Sequence, residues 1–69
     1  MNRQPVTSSN VAEVGYDIDT MTLEVAFKDG TVYQYFDVPE AAYQEMISSS
    51  SVGKFLNEQI KNNYRYAKV

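Results

Sequence analysis

At 69 residues, the chain is long enough for one small domain and too short for two separate hydrophobic cores. It contains no cysteine and no histidine, which excludes disulfides, the usual zinc, haem and iron–sulfur ligands, and most nucleophilic and general-base chemistry at neutral pH. The net charge is −3: residues 1–50 carry two cations and eight acids, whereas residues 51–69 carry four cations and one acid. This distribution excludes a protein that coats nucleic acid over its whole surface, but it allows a local anion site near the C-terminal end.

The beginning of the chain is predicted to be extended. Residues 1–9 contain Pro5 and a polar run without a periodic apolar pattern, which is typical of a lead-in segment. The first strand is expected at Asn10–Tyr16. Within it, Gly15 indicates a β-bulge or the close approach of another backbone.

The clearest pattern in the sequence is a strand at Met21–Phe27, where apolar and polar side chains alternate. Residues 17–20 suit a hairpin connection before it. The dipeptide Asp29-Gly30 predicts a second hairpin, followed by a third strand at Thr31–Phe36.

Two registers are open for this second hairpin. A two-residue turn at Asp29-Gly30 would place Gln34 on the apolar face, whereas a three-residue loop with Gly30 as the bulge residue pairs Val25 with Tyr33. We favour the three-residue loop because it pairs apolar with apolar and polar with polar side chains. A slip of one residue would exchange the two faces of the whole strand.

Two helices are predicted to follow. The first opens at Val38-Pro39, with proline at its first position, and the serine run 48–51 ends it. The second extends from Val52 to Asn62, with Ser50 or Ser51 as its cap. Residues 64–69 alternate again and predict a short fourth strand or an ordered tail.

These elements predict a single α+β domain over residues 1–69, with a three-stranded antiparallel meander and two helices packed on one of its faces. A core of this size usually contributes no more than about 3–5 kcal/mol, which favours self-association as additional support. No apolar run approaches the roughly 20 residues of a membrane span and no secretory signal is evident, so a cytoplasmic protein is expected.

From Ser9 onward, the sequence resembles the KTSC domain family. This family occurs at the C-terminus of some lysyl-tRNA synthetases and as a free-standing small protein of bacteria and phages. The resemblance implies a link to RNA, which the attachment to a tRNA synthetase suggests. The motifs that carry it are Val14-Gly15-Tyr16-Asp17, Leu23-x-Val25-x-Phe27 with Asp29-Gly30, Tyr33-Gln34-Tyr35 followed by Val38-Pro39, and Ser51-x-Gly53 leading to Phe55, Asn57 and Ile60.

The start of the second helix is the main candidate site, because free backbone N–H groups and the positive end of a helix dipole favour a phosphate or carboxylate. An α-helix would place several polar side chains on one face there, and basic and aromatic residues alternate in the tail, as in sites for single-stranded nucleic acid. The alternative is an ordinary capped helix with tail tyrosines that cover the core. The candidate residues are Ser51, Gly53, Lys54, Asn57, Lys61, Tyr64, Arg65 and Tyr66.

Tyr33 and Tyr35 form a second candidate, a stacking platform for unpaired bases. The favoured register instead directs both rings toward the helices, with a structural role. Asp17 and Asp19 resemble part of a calcium loop, but the remaining ligands are missing, so turn formation explains them better and no metal is expected.

The leading functional hypothesis is a non-catalytic binding module for RNA or another phosphate-bearing ligand, without a cofactor. An alternative is a module for protein–protein interaction or self-association, as a bacterial or phage accessory protein. A third hypothesis is a small protein that captures nucleotides at the same anion site.

Overall fold

The alternating residues around Val25 form the central strand of a sheet in the computed structural model, which describes residues 1–69. Five strands follow the order of the chain and pair with antiparallel neighbours, so the sheet is a simple meander. The strands are β1 (Arg3–Pro5), β2 (Val11–Asp17), β3 (Thr22–Phe27), β4 (Val32–Tyr35) and β5 (Tyr66–Lys68); the helices are α1 (Glu40–Ser48) and α2 (Val52–Phe55), and a π-helical turn (Leu56–Ile60) continues α2.

The hairpin between β3 and β4 has the three-residue loop that the sequence favoured. Val25 lies opposite Tyr33, and the Phe27 N–H donates to the Thr31 carbonyl at 2.8 Å. Gly30 has a φ of 95°, a left-handed conformation that glycine adopts without a steric penalty. The predicted register is therefore confirmed, and Gln34 lies on the polar face, where its amide donates to a Glu24 carboxylate oxygen at 2.8 Å.

The α+β class and the two helices are confirmed, but the sheet is larger than the predicted three-stranded meander. The C-terminal alternation does form a strand, β5, which pairs with β4. The lead-in segment also contains a strand, β1, which the sequence did not reveal. All three residues of β1 are exposed, so this edge strand has no buried face to produce an apolar pattern.

At Gly15 the backbone of the lead-in lies close against β2. A Cβ atom at this position would lie 2.6 Å from the Asn2 carbonyl oxygen, so the expected close approach is confirmed. The irregularity of β2 lies elsewhere, between Val11 and Glu13. Gly15 therefore allows β1 to join the sheet.

Replacing Gly15 with alanine should displace β1 and destabilise the protein by about 1 kcal/mol, because the nearest atom to the added methyl group is a backbone carbonyl oxygen, which cannot move away as the end of a side chain can. The Val6 N–H donates to the Ala12 carbonyl at 3.2 Å across the β1–β2 pair. Its hydrogen exchange should become faster in the variant. An unchanged exchange rate at Val6 would contradict this account of Gly15.

The helices differ from the predicted ones at two points. Pro39 precedes α1 as its cap, with an extended ψ of 148°, and does not form its first turn. The second helix begins after Ser51 as expected, but its later part is a π turn in which the Lys61 N–H donates to the Leu56 carbonyl at 2.9 Å. Each π turn contains about one residue more than an α turn, so it rotates the following side chains by roughly 100°.

The core lies between the helices and the face of the sheet that carries Leu23 and Val25. It is apolar apart from the hydroxyl of Tyr35, and burial raises the pKa of that phenol above its usual value. The core residues are Val11, Val14, Leu23, Val25, Tyr35, Val38, Met46, Val52, Leu56 and Ile60. The opposite face of the sheet has no helix, and it carries Arg3 within 3.5 Å of Glu13 and 3.6 Å of Glu24.

Candidate nucleic-acid interface

The structure gathers four of the predicted site residues at the start of α2. They line an open polar depression of about 640 Å³ together with residues 7–10, Ser50 and Glu58. The four residues are Ser51, Gly53, Lys54 and Asn57.

Two of the groups that were expected to bind an anion there are used within the chain. The Ser51 hydroxyl accepts a hydrogen bond from the Lys54 N–H at 3.3 Å. A Cβ atom on Gly53 would lie 2.6 Å from Asn10 Oδ1 and 3.2 Å from Ser8 Oγ, so the space beside this glycine is filled by the preceding loop. Gly53 therefore serves the packing of that loop.

Arg65 and Tyr64 lie away from this depression. The Arg65 guanidinium donates to Asp37 Oδ2 at 2.9 Å and lies 5.7 Å from the ring centre of Phe36. Tyr64 is half-buried against the core. The expected cationic line from Lys54 to Arg65 is thus interrupted, because Asp37 neutralises its last member.

The π turn also separates Lys61 from Lys54 and Asn57. On a regular α-helix the three side chains would share a face, but the extra residue of the π turn rotates Lys61 out of that line. Lys61 Nζ lies 5.9 Å from the ring centre of Phe27, within cation–π range. Lys61 therefore belongs to a second surface, on the side of β3, β4 and β5.

This second surface has a continuous row of aromatic rings. Phe27 and Tyr33 meet edge to face with ring centres 5.8 Å apart, and Tyr33 and Tyr66 meet edge to face at 6.0 Å. The ring centre of Tyr35 lies 5.7 Å from that of Tyr66. Tyr35 is buried beneath the row, with only 2% of its surface exposed. Tyr35 offers no face for stacking, Tyr33 is half-buried, and Tyr66 is 60% exposed.

Three lysines surround these rings. Lys28 and Lys61 line a depression of about 450 Å³ with Phe27 and Tyr33, and Lys61 also lines a depression of about 200 Å³ with Tyr66. Lys68 lies opposite Tyr33 in the β4–β5 register. None of the three lysines forms an ion pair. We call this region the aromatic–lysine surface, defined by Phe27, Lys28, Tyr33, Lys61, Tyr66 and Lys68.

One carboxylate, that of Asp29, borders the surface. Hydrogen bonds from the Thr31 hydroxyl at 2.7 Å and the Thr31 N–H at 2.9 Å lower its pKa below the usual value, and the charge of Lys68 contributes less. Asp29 is therefore ionised at neutral pH and shapes the turn. Three lysines face one carboxylate here, so the local charge is positive although the chain is acidic.

Three members of the surface were not among the predicted site residues: Phe27, Lys28 and Lys68. Phe27 was recognised only as a core-facing strand residue. The register that pairs Val25 with Tyr33 could have indicated that Phe27 lies beside Tyr33. Phe27 is two residues after Val25 in β3, and alternate residues of a strand lie on the same face. The position of Lys68 depends on the pairing of β5, which no local pattern specifies.

The remaining polar residues show no metal centre. No group of three or more acidic side chains is placed to hold a metal ion. None of the helices has both the length and the apolar character that crossing a membrane requires.

Comparison with known proteins gives concordant matches. The profile of the KTSC domain matches residues 7–64. A crystal structure of a KTSC domain protein from Yersinia pestis is similar, with 42% sequence identity, a TM-score of 0.93, and coverage of 99% of this chain and 96% of that chain. A protein of Stutzerimonas stutzeri is 34% identical over 70 residues, covering 100% of this chain and 99% of the relative.

Larger proteins contain a similar segment. A lysine–tRNA ligase of Trichormus variabilis is 33% identical over 61 residues, which are 88% of this chain and 11% of the ligase. The similarity is thus to a small part of the ligase.

Proposed function

We propose, from the premise that this chain belongs to the KTSC domain family, that it is a non-catalytic module that binds single-stranded RNA. The observation that carries the proposal is the aromatic–lysine surface, in which a row of aromatic rings ending in the exposed Tyr66 is accompanied by three lysines without ion-pair partners. Unpaired bases stack on aromatic faces, and lysines bind the phosphates between them.

Tyr66 is the residue best placed to stack on a base. The residue is 60% exposed, and contacts with Tyr33 and Tyr35 fix the position of its ring, so little side-chain freedom remains to be lost on binding. A base on Tyr66 would have Lys61 beside it, because both residues line the same depression. The adjoining depression, between Lys28 and Lys61, has room for a neighbouring nucleotide.

The surface favours a single strand over a duplex. In a duplex the bases are stacked on one another, so their faces are not accessible to Tyr66. Three cations are also few for the dense phosphate charge of two strands. Glu13 and Glu24 lie on the opposite face of the sheet, where Arg3 is within 3.5 Å and 3.6 Å of their carboxylates and offsets part of their charge.

The family relationship supports RNA as the polymer. A segment similar to this chain occurs within proteins named lysine–tRNA ligase, so some members of the family are joined to an enzyme that handles RNA. The absence of cysteine and histidine, together with the few perturbed carboxylates, supports a binding role over a catalytic one.

Lys61 provides the sharpest test of this proposal. We expect Lys61→Ala to weaken binding of a single-stranded RNA of about ten nucleotides severalfold. The slope of log affinity against log salt concentration should fall by about 0.7, the value for one phosphate contact on a single strand. Fluorescence anisotropy at several salt concentrations measures both quantities.

The matched control is Lys54→Ala, which removes an exposed lysine of the preceding helix that lies outside the aromatic–lysine surface. It makes the same change in net charge but removes no proposed phosphate contact, so it should leave the salt slope unchanged. Equal effects of the two substitutions would reject the proposed surface, and the absence of salt-sensitive RNA binding by the unmodified chain would reject the function.

A further inference from the structure

The two edges of the sheet differ in their capacity to accept another strand. In an antiparallel pair, alternate residues direct their backbone N–H and C=O groups toward the partner strand, and the residues between them direct these groups away. In β1, Val6 donates inward to Ala12, so Arg3 and Pro5 occupy the outward positions. Pro5 has no N–H group, and it therefore blocks pairing along that edge.

The β5 edge has no such block. The Arg65 carbonyl accepts from the Phe36 N–H at 2.8 Å, and the Val69 N–H donates to the Val32 carbonyl at 2.9 Å. The alternation then places the N–H and C=O groups of Tyr66 and Lys68 on the outer side of β5. Both residues are exposed, and both keep a free donor and a free acceptor for a further strand.

We propose that a second copy of this chain pairs with β5 in antiparallel orientation, through a two-fold axis at Ala67. In this register Tyr66 of each copy lies opposite Lys68 of the other. The outward groups of these residues would form four backbone hydrogen bonds across the axis, and the two five-stranded sheets would become continuous.

The side chains of β5 complement themselves in this register. Each Lys68 would lie beside the exposed ring of Tyr66 in the other copy, a cation–π arrangement, and no like charges would be directly opposite. Val69, with 64% of its surface exposed, would lie opposite Arg65 of the other copy and pack against the aliphatic part of that side chain. A second copy supplies this complementary pattern, whereas a strand of arbitrary sequence supplies only the backbone hydrogen bonds.

The predicted association is weak. A three-residue edge buries much less than the 1,200 Å² or so that stable interfaces require, so a dissociation constant of about 10 µM to 1 mM is expected.

The axis is perpendicular to the sheet, so the helices of both copies lie on the same side. The two aromatic–lysine surfaces would then be adjacent, and one RNA strand could contact both; this consequence alone rests on the proposed function.

Two substitutions at one position test the register. Tyr66→Glu would place a carboxylate opposite Lys68 and should preserve the dimer or tighten it about threefold, whereas Tyr66→Lys would place two lysines opposite each other and should weaken it about tenfold. Both variants lose the aromatic ring, so RNA binding should fall in each. Self-association without RNA therefore tests this proposal independently of the proposed function.

Sedimentation equilibrium from about 10 µM to about 1 mM protein would measure the association, with thermal melting to show that both variants fold. In the unmodified chain, hydrogen exchange at Tyr66 and Lys68 should slow as concentration rises, and exchange at Ala67, whose N–H points inward, should not. A monomer at every concentration, as expected if the edge accepts a strand of another protein, would overturn the proposal. Equal dissociation constants for the two variants would also overturn it.

Discussion

Leu56→Ala should leave a large fraction of the molecules unfolded at 25 °C. Leu56 begins the π turn, its side chain is only 1% exposed, and it belongs to the central core cluster. Removing a buried leucine side chain costs about 2–5 kcal/mol, and a domain of this size usually has a core contribution of about 3–5 kcal/mol. Without disulfides or a metal, the chain has little else to compensate for the loss.

Urea denaturation followed by circular dichroism measures this effect. Gln59→Ala is the matched control, because Gln59 lies in the same π turn with an exposed side chain. It should change the free energy of unfolding by no more than about 0.5 kcal/mol. If Leu56→Ala unfolded at the same urea concentration as the Gln59 variant, Leu56 would not have the central packing role that its burial indicates.

The second large effect concerns Tyr66. Loss of one base–aromatic stacking contact is worth about 1–3 kcal/mol, so Tyr66→Ala should weaken RNA binding by about five- to 150-fold. The substitution should leave the chain folded, since 60% of the residue's surface is exposed and Tyr66 lies outside the core cluster. Binding is best measured at protein concentrations below about 1 µM, where self-association does not contribute.

Tyr66→Phe serves as its control because it keeps the ring and removes only the hydroxyl. It should bind RNA within about twofold of the unmodified chain if stacking is the main contribution. A large loss in the phenylalanine variant would assign the contact to the hydroxyl. A small loss in the alanine variant would place the bases elsewhere on the protein.

The parts of the fold that were predictable from sequence are those with a strong local pattern. The alternation in β3 and the polarity match between Glu24 and Gln34 determined the hairpin register correctly. The cap of the second helix is Ser51, one of the two serines that were expected there. The edge strand β1 was missed because Arg3–Pro5 buries no side chain, and a strand without a buried face leaves no periodic signal.

The candidate site was harder to predict because its geometry depends on two features that leave no pattern in the sequence. One is the π turn, which redirects Lys61 away from Lys54 toward Phe27, and apolar spacing does not reveal a single extra residue in a turn. The other is the pairing of β5, which brings Lys68 beside Tyr33. The contact between Arg65 and Asp37 spans 28 positions in the sequence, and it too depends on tertiary structure.

Pro5 has a consequence for the size of any assembly. A flat sheet that is receptive at both margins can add subunits without limit and grow into fibres. Here only one margin is receptive, because proline cannot donate a hydrogen bond at the other. When two copies pair through this margin, the free edge strand of each copy is occupied. No further copy can add, so the assembly ends at two.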